Sequence, residues 1–308
     1  MSRLNSTNAG AQSQLEAAVA FDDDPLLSGA PGPKARRQRS AQRGGSAKKA
    51  AGYGPLLVAA GMVLAGVTVI GAVALPLFDS TVPTGPAGAV AGPTQTPSPA
   101  PVAPTAIEAP TETEINTKSK SIALLADSQW VRHTAKTTGI PPRALAAYSG
   151  AAIRVRQELP ECGLGWNTLA GIGWVESEHG TLHGGHIAGN GETKPPIYGV
   201  PLSGEHGTEQ LADTDGGALD GDGQWDRAVG PLQFVPDTWA QWGADGNGDG
   251  VRDPQQLDDA ALAAARYLCH VGGDLTVPEN WIAAVGAYNS PVDYINRVAA
   301  ASNVYGQH

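Results

Sequence analysis

An acidic side chain, Glu176, falls on the apolar face of a predicted helix. Residues 167–180 read NTLAGIGWVESEHG. At about 100° per residue, Leu169, Ile172 and Glu176 share one side of this helix, whereas Glu178 points to the solvated side. A carboxylate on a buried face must be paired or have its pKa raised, and a raised pKa suits a general acid that works near neutral pH. Glu176 is therefore the candidate catalytic residue, with a paired core or rim residue as the alternative.

A pattern of oxygen ligands lies in the loop 245–256, which reads DGNGDGVRDPQQ. Its front half matches a twelve-position Ca²⁺ loop, with Gly250 at the sharp turn. The twelfth position holds neutral Gln256 instead of a bidentate Glu, so that either Asp258 or Asp259 swings in or the site is weak. A solvated acidic turn is the alternative to a structural ion. The predicted calcium ligands are Asp245, Asn247, Asp249, Val251 through its carbonyl, Asp253 and Gln256.

Two further groups of residues could bind a metal ion, but their spacing matches no regular metal-binding motif. The acidic stretch 213–226 is predicted to be a solvated, turn-rich loop, with a second ion as the alternative. His179, His183, His186 and the more distant His206 have spacings that zinc accepts. The helical H-E-x-x-H pattern is absent, however, and intervening glycines would break the helix. Zinc hydrolysis is kept as an alternative.

Composition divides the 308 residues into four segments. Residues 1–54 carry a net charge of +4 and no apolar periodicity, which predicts a disordered basic tail. Residues 55–78 are apolar and uncharged, long enough to cross a bilayer as one helix. Residues 79–119 are rich in Pro, Thr and Ala and predict an extended linker. All seven Trp and both Cys follow this linker, so that the folded domain is predicted at 120–308.

The charge distribution predicts an orientation for the chain. The basic tail directly before the apolar run places the tail in the cytoplasm and the folded domain outside, on the cell-wall side of the cell membrane. A cleaved secretory signal is the alternative to this single-pass signal anchor. Residues 79–308 have a net charge of −14, which argues against a nucleic-acid partner. In an oxidising compartment, Cys162 and Cys269 are expected to form a disulfide, with two buried thiols as the alternative.

The folded domain is predicted to be mainly α, with long loops rich in Gly and Asp. Asn167 is the predicted N-cap of the helix that carries Glu176, and the stretch 181–227 has no helical periodicity. The other predicted helices cover residues 142–159, 236–242, 258–270, 278–289 and 291–301.

Four separated motifs resemble one family in order. Glu176-Ser177-Glu178-His179-Gly180 resembles the E-S-x-x-G signature of lytic murein transglycosylases, and residues 228–236, AVGPLQFVP, resemble their G-x-x-Q-F-x-P segment. The loop 245–256 and the helix after it are similar to the metal loop of the B type. Residues 287–289, AYN, resemble a motif at the family's substrate groove. The chain thus resembles a membrane-anchored, actinobacterial-style form of this lysozyme-like family.

The resemblance implies cleavage of the β-1,4 bond between N-acetylmuramic acid and N-acetylglucosamine in peptidoglycan. Water is not consumed, because the muramoyl 6-hydroxyl closes on C1 and leaves a 1,6-anhydro end. One carboxyl group suffices for this chemistry, whereas an ordinary glycosidase needs two. Glu176 carries over as that acid and base. Ser177, Gln233, Tyr288 and Asn289 carry over as substrate-binding residues.

Three other functions stay open from the sequence: lysozyme-like hydrolysis, zinc-dependent wall hydrolysis, and a calcium-stabilised module that holds wall glycan without cutting it. A pure binding module has no need of an acid on a buried face, which favours the enzyme. Confinement near the membrane also suggests a role beside cell-wall synthesis or division proteins, although no residue identifies a partner.

Overall fold

The computed structural model describes residues 98–112, 121–205 and 208–308. The predicted cytoplasmic tail at 1–54 and the predicted anchor at 55–78 lie outside these residues. None of the described helices combines the length and the apolar character needed to cross a membrane.

The described residues form seven α-helices, which confirms the mainly α class. Three of them, α2, α4 and α6, begin with Pro at the first helical position, where proline costs no hydrogen bond. The helix α1 was not predicted; Asp127 caps it by accepting a 2.7 Å hydrogen bond from the Trp130 amide. The bounds are α1 Ser128–Thr138, α2 Pro142–Glu158, α3 Trp166–Ser177, α4 Pro236–Trp242, α5 Leu257–Gly272, α6 Pro278–Tyr288 and α7 Val292–Tyr305.

Between α3 and α4 the chain forms short strands, in agreement with the absence of a predicted helix in this stretch. The strand β1, His186–Ile187, pairs antiparallel with β2, Thr193–Lys194. The strand β3, Tyr198–Pro201, pairs antiparallel with β4, Arg227–Val229, and the acidic stretch 213–226 lies on the excursion between them. These hairpins bring the residues after β4 to the C-terminal end of α3.

The helix α3 runs through the middle of the domain and is buried on nearly every side. It packs chiefly against α7, while α2 packs against α5. Glycine makes the close approach to α7 possible, because a Cβ at Gly171 would lie 2.8 Å from the carbonyl oxygen of Val298 and 2.3 Å from Oγ of Ser302. The only carboxylate carried by α3, Glu176, therefore sits on a rigidly packed element.

Residues 98–112, which we name the strap, pack against the helical domain, so the boundary expected at residue 119 shifts toward the N-terminus. Asn167 anchors the strap: its Oδ1 accepts from the amide of Ile107 at 3.0 Å, and its Nδ2 donates to the carbonyl of Thr105 at 2.9 Å. Ala109 is buried in the core. Asn167 is thus an internal residue of α3, whose N-cap is Gly165, and not the N-cap that the sequence predicted.

The disulfide predicted between Cys162 and Cys269 is present. It joins the short turn after α2 to the last part of α5 and closes a loop of 107 residues. In the loop-closure model, a bridge of this span stabilises the fold by about 4.7 kcal/mol, because it lowers the conformational entropy of the unfolded chain.

Candidate active site

Glu176 lies in the last turn of α3, one residue before the helix ends. Its side chain is half-buried, whereas that of Glu178 is exposed, as the helical pattern predicts. The hydroxyl of Tyr294, on α7, donates a 2.6 Å hydrogen bond to Oε1 of Glu176. The Glu176 carboxylate is therefore held in a defined direction at the edge of the core.

Two tyrosines share the electrostatic environment of Glu176. Burial raises the pKa of Tyr288 and of Tyr294 well above the ordinary value, and the nearby charge of Glu176 raises both further. Both phenols consequently remain protonated, and each can only act as a hydrogen-bond donor toward a carboxylate or a carbonyl. Tyr288, on α6, thus lies close enough to Glu176 for the carboxylate charge to raise its pKa.

The turn 230–233, between β4 and α4, is fastened to the helices on both sides. The Ser177 hydroxyl donates to the carbonyl of Pro231 at 2.7 Å. The Tyr288 hydroxyl donates to the carbonyl of Leu232 at 2.8 Å. Since Ser177 directly follows Glu176, these two bonds fix the turn relative to the carboxylate.

Gln233 closes the same turn. Its backbone has a positive φ of 51°, and its Nε2 donates to the carbonyl of Gly230 at 2.8 Å. Its Oε1 faces Gly199 on β3, where an added Cβ would stand only 3.1 Å away. The side chain is half-buried. The amide nitrogen of Gln233 therefore supports the turn, while the rest of the side chain reaches the surface beside it.

The predicted substrate-binding residues differ in how far they are exposed to solvent. Ser177 is 1% exposed, and its Oγ also accepts from the Gly180 amide at 2.8 Å, so that it supports main chain rather than facing solvent. Tyr288 is half-buried with its hydroxyl engaged by the turn. Asn289 follows α6 directly and is exposed.

A left-handed turn follows α3. Glu178, His179 and Gly180 have φ values of 50°, 61° and 79°. His179 is buried between Tyr148, whose hydroxyl lies 3.3 Å from Nδ1, and Tyr305, whose hydroxyl lies 2.8 Å from Nε2. Burial lowers the pKa of His179 to about 3, so this imidazole is neutral at physiological pH. It locks the end of α3 to α2 and α7.

The histidines named for a zinc site do not gather in the described part of the chain. His179 is engaged by two tyrosines, whereas His183 and His186 are exposed. His206 lies outside the described residues.

The loop 245–256 folds through its own acidic side chains. Asp245 accepts from the amides of Gly248 at 2.7 Å and Gly250 at 2.9 Å, and Nδ2 of Asn247 donates to Oδ2 of Asp249 at 2.9 Å. The Asp249 amide also donates to Oδ1 of Asp245 and Oδ1 of Asn247, so that the side chains at positions 1, 3 and 5 of the loop lie close together. Such a set of oxygen atoms fits a hard cation. Val251 is exposed.

The back half of this loop departs from a twelve-position calcium site. Gln256 caps α5 by accepting from the amides of Asp258 and Asp259. Asp258 forms a two-point ion pair with Arg143, at 2.7 Å for both bonds. Asp259 turns back to the loop and accepts from the amide of Asp253 at 3.0 Å. Burial raises the pKa of Asp259 to about 6.

The acidic stretch 213–226 is rich in turns, as predicted, and brings three carboxylates together. Oxygen atoms of Asp213, Asp215 and Asp226 all lie within 4.8 Å of one another. Asp226 is buried and accepts from the amide of Thr214 at 2.9 Å. Within the described residues, this is the one group of three or more His, Cys, Asp or Glu side chains whose ligand atoms lie close enough together to hold a metal ion.

The described residues thus form a mainly α domain in which Glu176 is the one carboxylate of the buried helix α3. Residues 210–291 match the family model described as Transglycosylase SLT domain. The match includes the turn 230–233, the loop 245–256 and Tyr288. No curated protein and no solved structure matches the chain.

The family match supports a lytic transglycosylase of the SLT/lysozyme-like superfamily and implies peptidoglycan as the substrate. It covers three of the four motifs, whereas the motif 176–180 with Glu176 lies outside it. The B type and the actinobacterial-style form remain predictions. The sequence did not predict the contact of Tyr294 with Glu176 or the packing of the strap. The only available signal for Tyr294 was a tyrosine on the apolar face of the last helix, and an aromatic side chain there is most often just core.

Proposed function

We propose that the domain is a peptidoglycan lytic transglycosylase that uses Glu176 as its single acid and base. It cleaves the β-1,4 bond between N-acetylmuramic acid and N-acetylglucosamine and leaves a 1,6-anhydromuramoyl end. The observation that carries the proposal is the half-buried carboxylate of Glu176, bound by Tyr294 and adjacent to the turn that holds Gln233.

In the first step, Glu176 gives its proton to the glycosidic oxygen while the bond from that oxygen to C1 of the muramoyl residue breaks. Oxocarbenium charge develops at C1, where the substrate's 2-acetamido group can stabilise it. In the second step, the Glu176 carboxylate takes the proton of the muramoyl 6-hydroxyl, and the bond between O6 and C1 forms. The acid is regenerated and no water is consumed.

Tyr294 supports both protonation states of the acid in this scheme. Its hydrogen bond to Oε1 favours Oε2 as the oxygen that carries the proton. The same bond stabilises the carboxylate between the two steps, because a donor to the charged form lowers its energy. The high pKa of Tyr294 keeps the hydroxyl protonated throughout.

Gln233 and Asn289 are proposed to contact the glycan, since the first is half-buried beside the site and the second is exposed. Ser177 and the Tyr288 hydroxyl are proposed to shape the site through the turn 230–233. A structural Ca²⁺ ion in the loop 245–256 is proposed on the grouped oxygens of Asp245, Asn247 and Asp249. Attachment to the cell membrane through residues 55–78 remains a proposal from the sequence.

A reducing-end assay on purified peptidoglycan tests the reaction. The transglycosylase is expected to solubilise glycan without new reducing ends, because each cut muramoyl residue ends in an anhydro ring. Glu176→Gln should abolish solubilisation, whereas the matched variant Glu178→Gln should keep it. One new reducing end per cut would indicate lysozyme-like hydrolysis, and binding without release would indicate a wall-binding module.

A further inference from the structure

The side chain of Gln255 pairs with both main-chain polar groups of Ile197. Its Oε1 accepts from the Ile197 amide at 2.9 Å, and its Nε2 donates to the Ile197 carbonyl at 2.7 Å. Gln255 therefore acts toward residue 197 as a neighbouring strand would, although it belongs to the loop 245–256. A primary amide is required, because only that group offers a donor and an acceptor side by side.

The Ile197 carbonyl has a second donor, which is the amide of Gly230 at 3.0 Å. Gly230 is the first residue of the turn 230–233. Its backbone has a φ of 79°, and an added Cβ would lie 1.8 Å from the carbonyl oxygen of Pro254. The beginning of the turn is thus pressed against the residue that precedes Gln255.

The contact continues into the candidate site. The carbonyl of Gly230 accepts from the backbone amide of Gln233 at 3.2 Å and from its Nε2 at 2.8 Å. Hydrogen bonds therefore connect Gln255 to Gln233 through Ile197 and Gly230. Ser177 and Tyr288 hold the middle of the turn, whereas Gln255 holds its start.

Gln255 is itself fixed before it acts on the turn. Its backbone carbonyl accepts from the amide of Thr193 at 3.0 Å, and the Thr193 hydroxyl donates to its Oε1. Its own amide donates to Oδ1 of Asp253 at 2.8 Å. Gln255 is thus held at its backbone carbonyl, its backbone amide and its Oε1, and a residue held in this way gives the rigid support that a site requires.

We propose that Gln255 is a positioning residue, which sets the turn 230–233 and thereby the placement of Gln233 beside Glu176. The inference rests on the proposed function for its catalytic consequence, but its structural part does not. It gives the loop 245–256 a defined route by which to shape the site, and it assigns that route to a residue outside the predicted metal ligands.

Two variants of the full chain test the proposal. Gln255→Glu preserves shape and the acceptor but replaces the donor toward the Ile197 carbonyl by a repelling oxygen, and Gln255→Met removes both hydrogen bonds. Gln129→Glu, at an exposed position of α1, is the matched control for the added charge. Thermal unfolding is recorded for each variant, so that a loss of global stability is seen separately.

Hydrogen–deuterium exchange gives the readout that is independent of activity. Both Gln255 variants should accelerate exchange in a peptide covering residues 228–234 by on the order of tenfold, while peptides from α2 remain protected as in the unmodified chain. Unchanged exchange at residues 228–234 would overturn the proposal. Equal acceleration in α2 would also overturn it, because Gln255 would then support the whole fold.

Glycan cleavage gives the catalytic readout. Both variants should lower kcat about tenfold with little change in KM, since a displaced turn misplaces groups at the reacting bond. A full kcat in an active wild-type chain would refute the catalytic part of the inference. If the wild-type chain does not cleave glycan at all, the proposed function fails, and the exchange experiment still decides whether Gln255 holds the turn.

Discussion

The Tyr294 hydroxyl donates a 2.6 Å hydrogen bond to Glu176 across 118 residues of sequence. The two residues meet because α3 and α7 pack closely, with Gly171 facing the main chain of Val298. The direction of the Glu176 carboxylate is thus set by helix packing. Any change that moves α7 relative to α3 will move the acid as well.

Replacement of Tyr294 by Phe tests this contact while keeping the ring. Loss of a hydrogen bond to a charged group costs about 1.5 to 3 kcal/mol, so kcat should fall by roughly tenfold to a hundredfold. The optimum of the pH–rate profile should also move to higher pH, because the carboxylate loses a stabilising donor. Steady-state rates between pH 4 and pH 8 would check both. Wild-type rates and an unshifted profile would mean that Tyr294 is only a packing residue.

The buried His179 predicts a pH-dependent stability. Its pKa is about 3 in the fold, against an ordinary 6.5. A lowered pKa means that the fold favours the neutral ring, so the stabilisation is complete above pH 6.5 and is lost as the pH falls toward 3. The free energy of unfolding should fall by about 1.4 kcal/mol per pH unit in this window from His179 alone.

Urea unfolding at pH 7, 6 and 5 measures that slope. His179→Gln should be less stable at pH 7 but should show a flatter pH dependence than the wild type. His133→Gln, at an exposed position, should keep the wild-type slope. Equal slopes for the wild type and His179→Gln would show that protonation of His179 does not govern acid unfolding.

The strap predicts where the domain can be truncated. A chain that starts at Ser98 keeps three hydrogen bonds of the strap, from the Ile107 amide to Asn167, from Asn167 to the Thr105 carbonyl and from the Trp166 amide to the Ile107 carbonyl, whereas a chain that starts at Ser121 loses them. The shorter chain should be less stable by about 3 kcal/mol, at about 1 kcal/mol for each hydrogen bond lost. Comparison of the urea midpoints of the two chains provides the measurement. Matching midpoints would make the strap an accessory segment.

Calcium titration tests the loop 245–256. Saturating Ca²⁺, at a hundred times its Kd, should stabilise the fold by about 2.7 kcal/mol. Asp249→Asn should weaken binding by on the order of tenfold, since removal of a charged ligand lowers the affinity of such loops. Asp237→Asn, on the exposed side of α4, is the matched control. Calorimetry that detects no binding, or an equal loss for both variants, would contradict a calcium site in this loop.

The sequence predicted what depends on neighbours along the chain. Proline at the first helical position fixed the starts of α2, α4 and α6, and helical periodicity separated Glu176 from Glu178. Charge and composition also predict that the domain faces outward from the cell, and this orientation stays a prediction.

The rest depends on contacts that are distant in sequence. Asn167 has the residue type of an N-cap, yet its amide is used by the strap, which has no periodicity of its own. Gln255 stands in the metal loop and serves the turn 230–233 instead. Tyr294 reaches Glu176 only because two helices pack together. Local secondary-structure propensity contains no information about any of these distant contacts.

The masses of the muropeptides released from purified sacculi test the central claim most directly. The wild-type chain and Glu178→Gln should release fragments one water lighter than those released by lysozyme, and Glu176→Gln should release none. Fragments equal in mass to the lysozyme products would contradict the intramolecular closure. Release by Glu176→Gln at the wild-type rate would contradict the assignment of the acid.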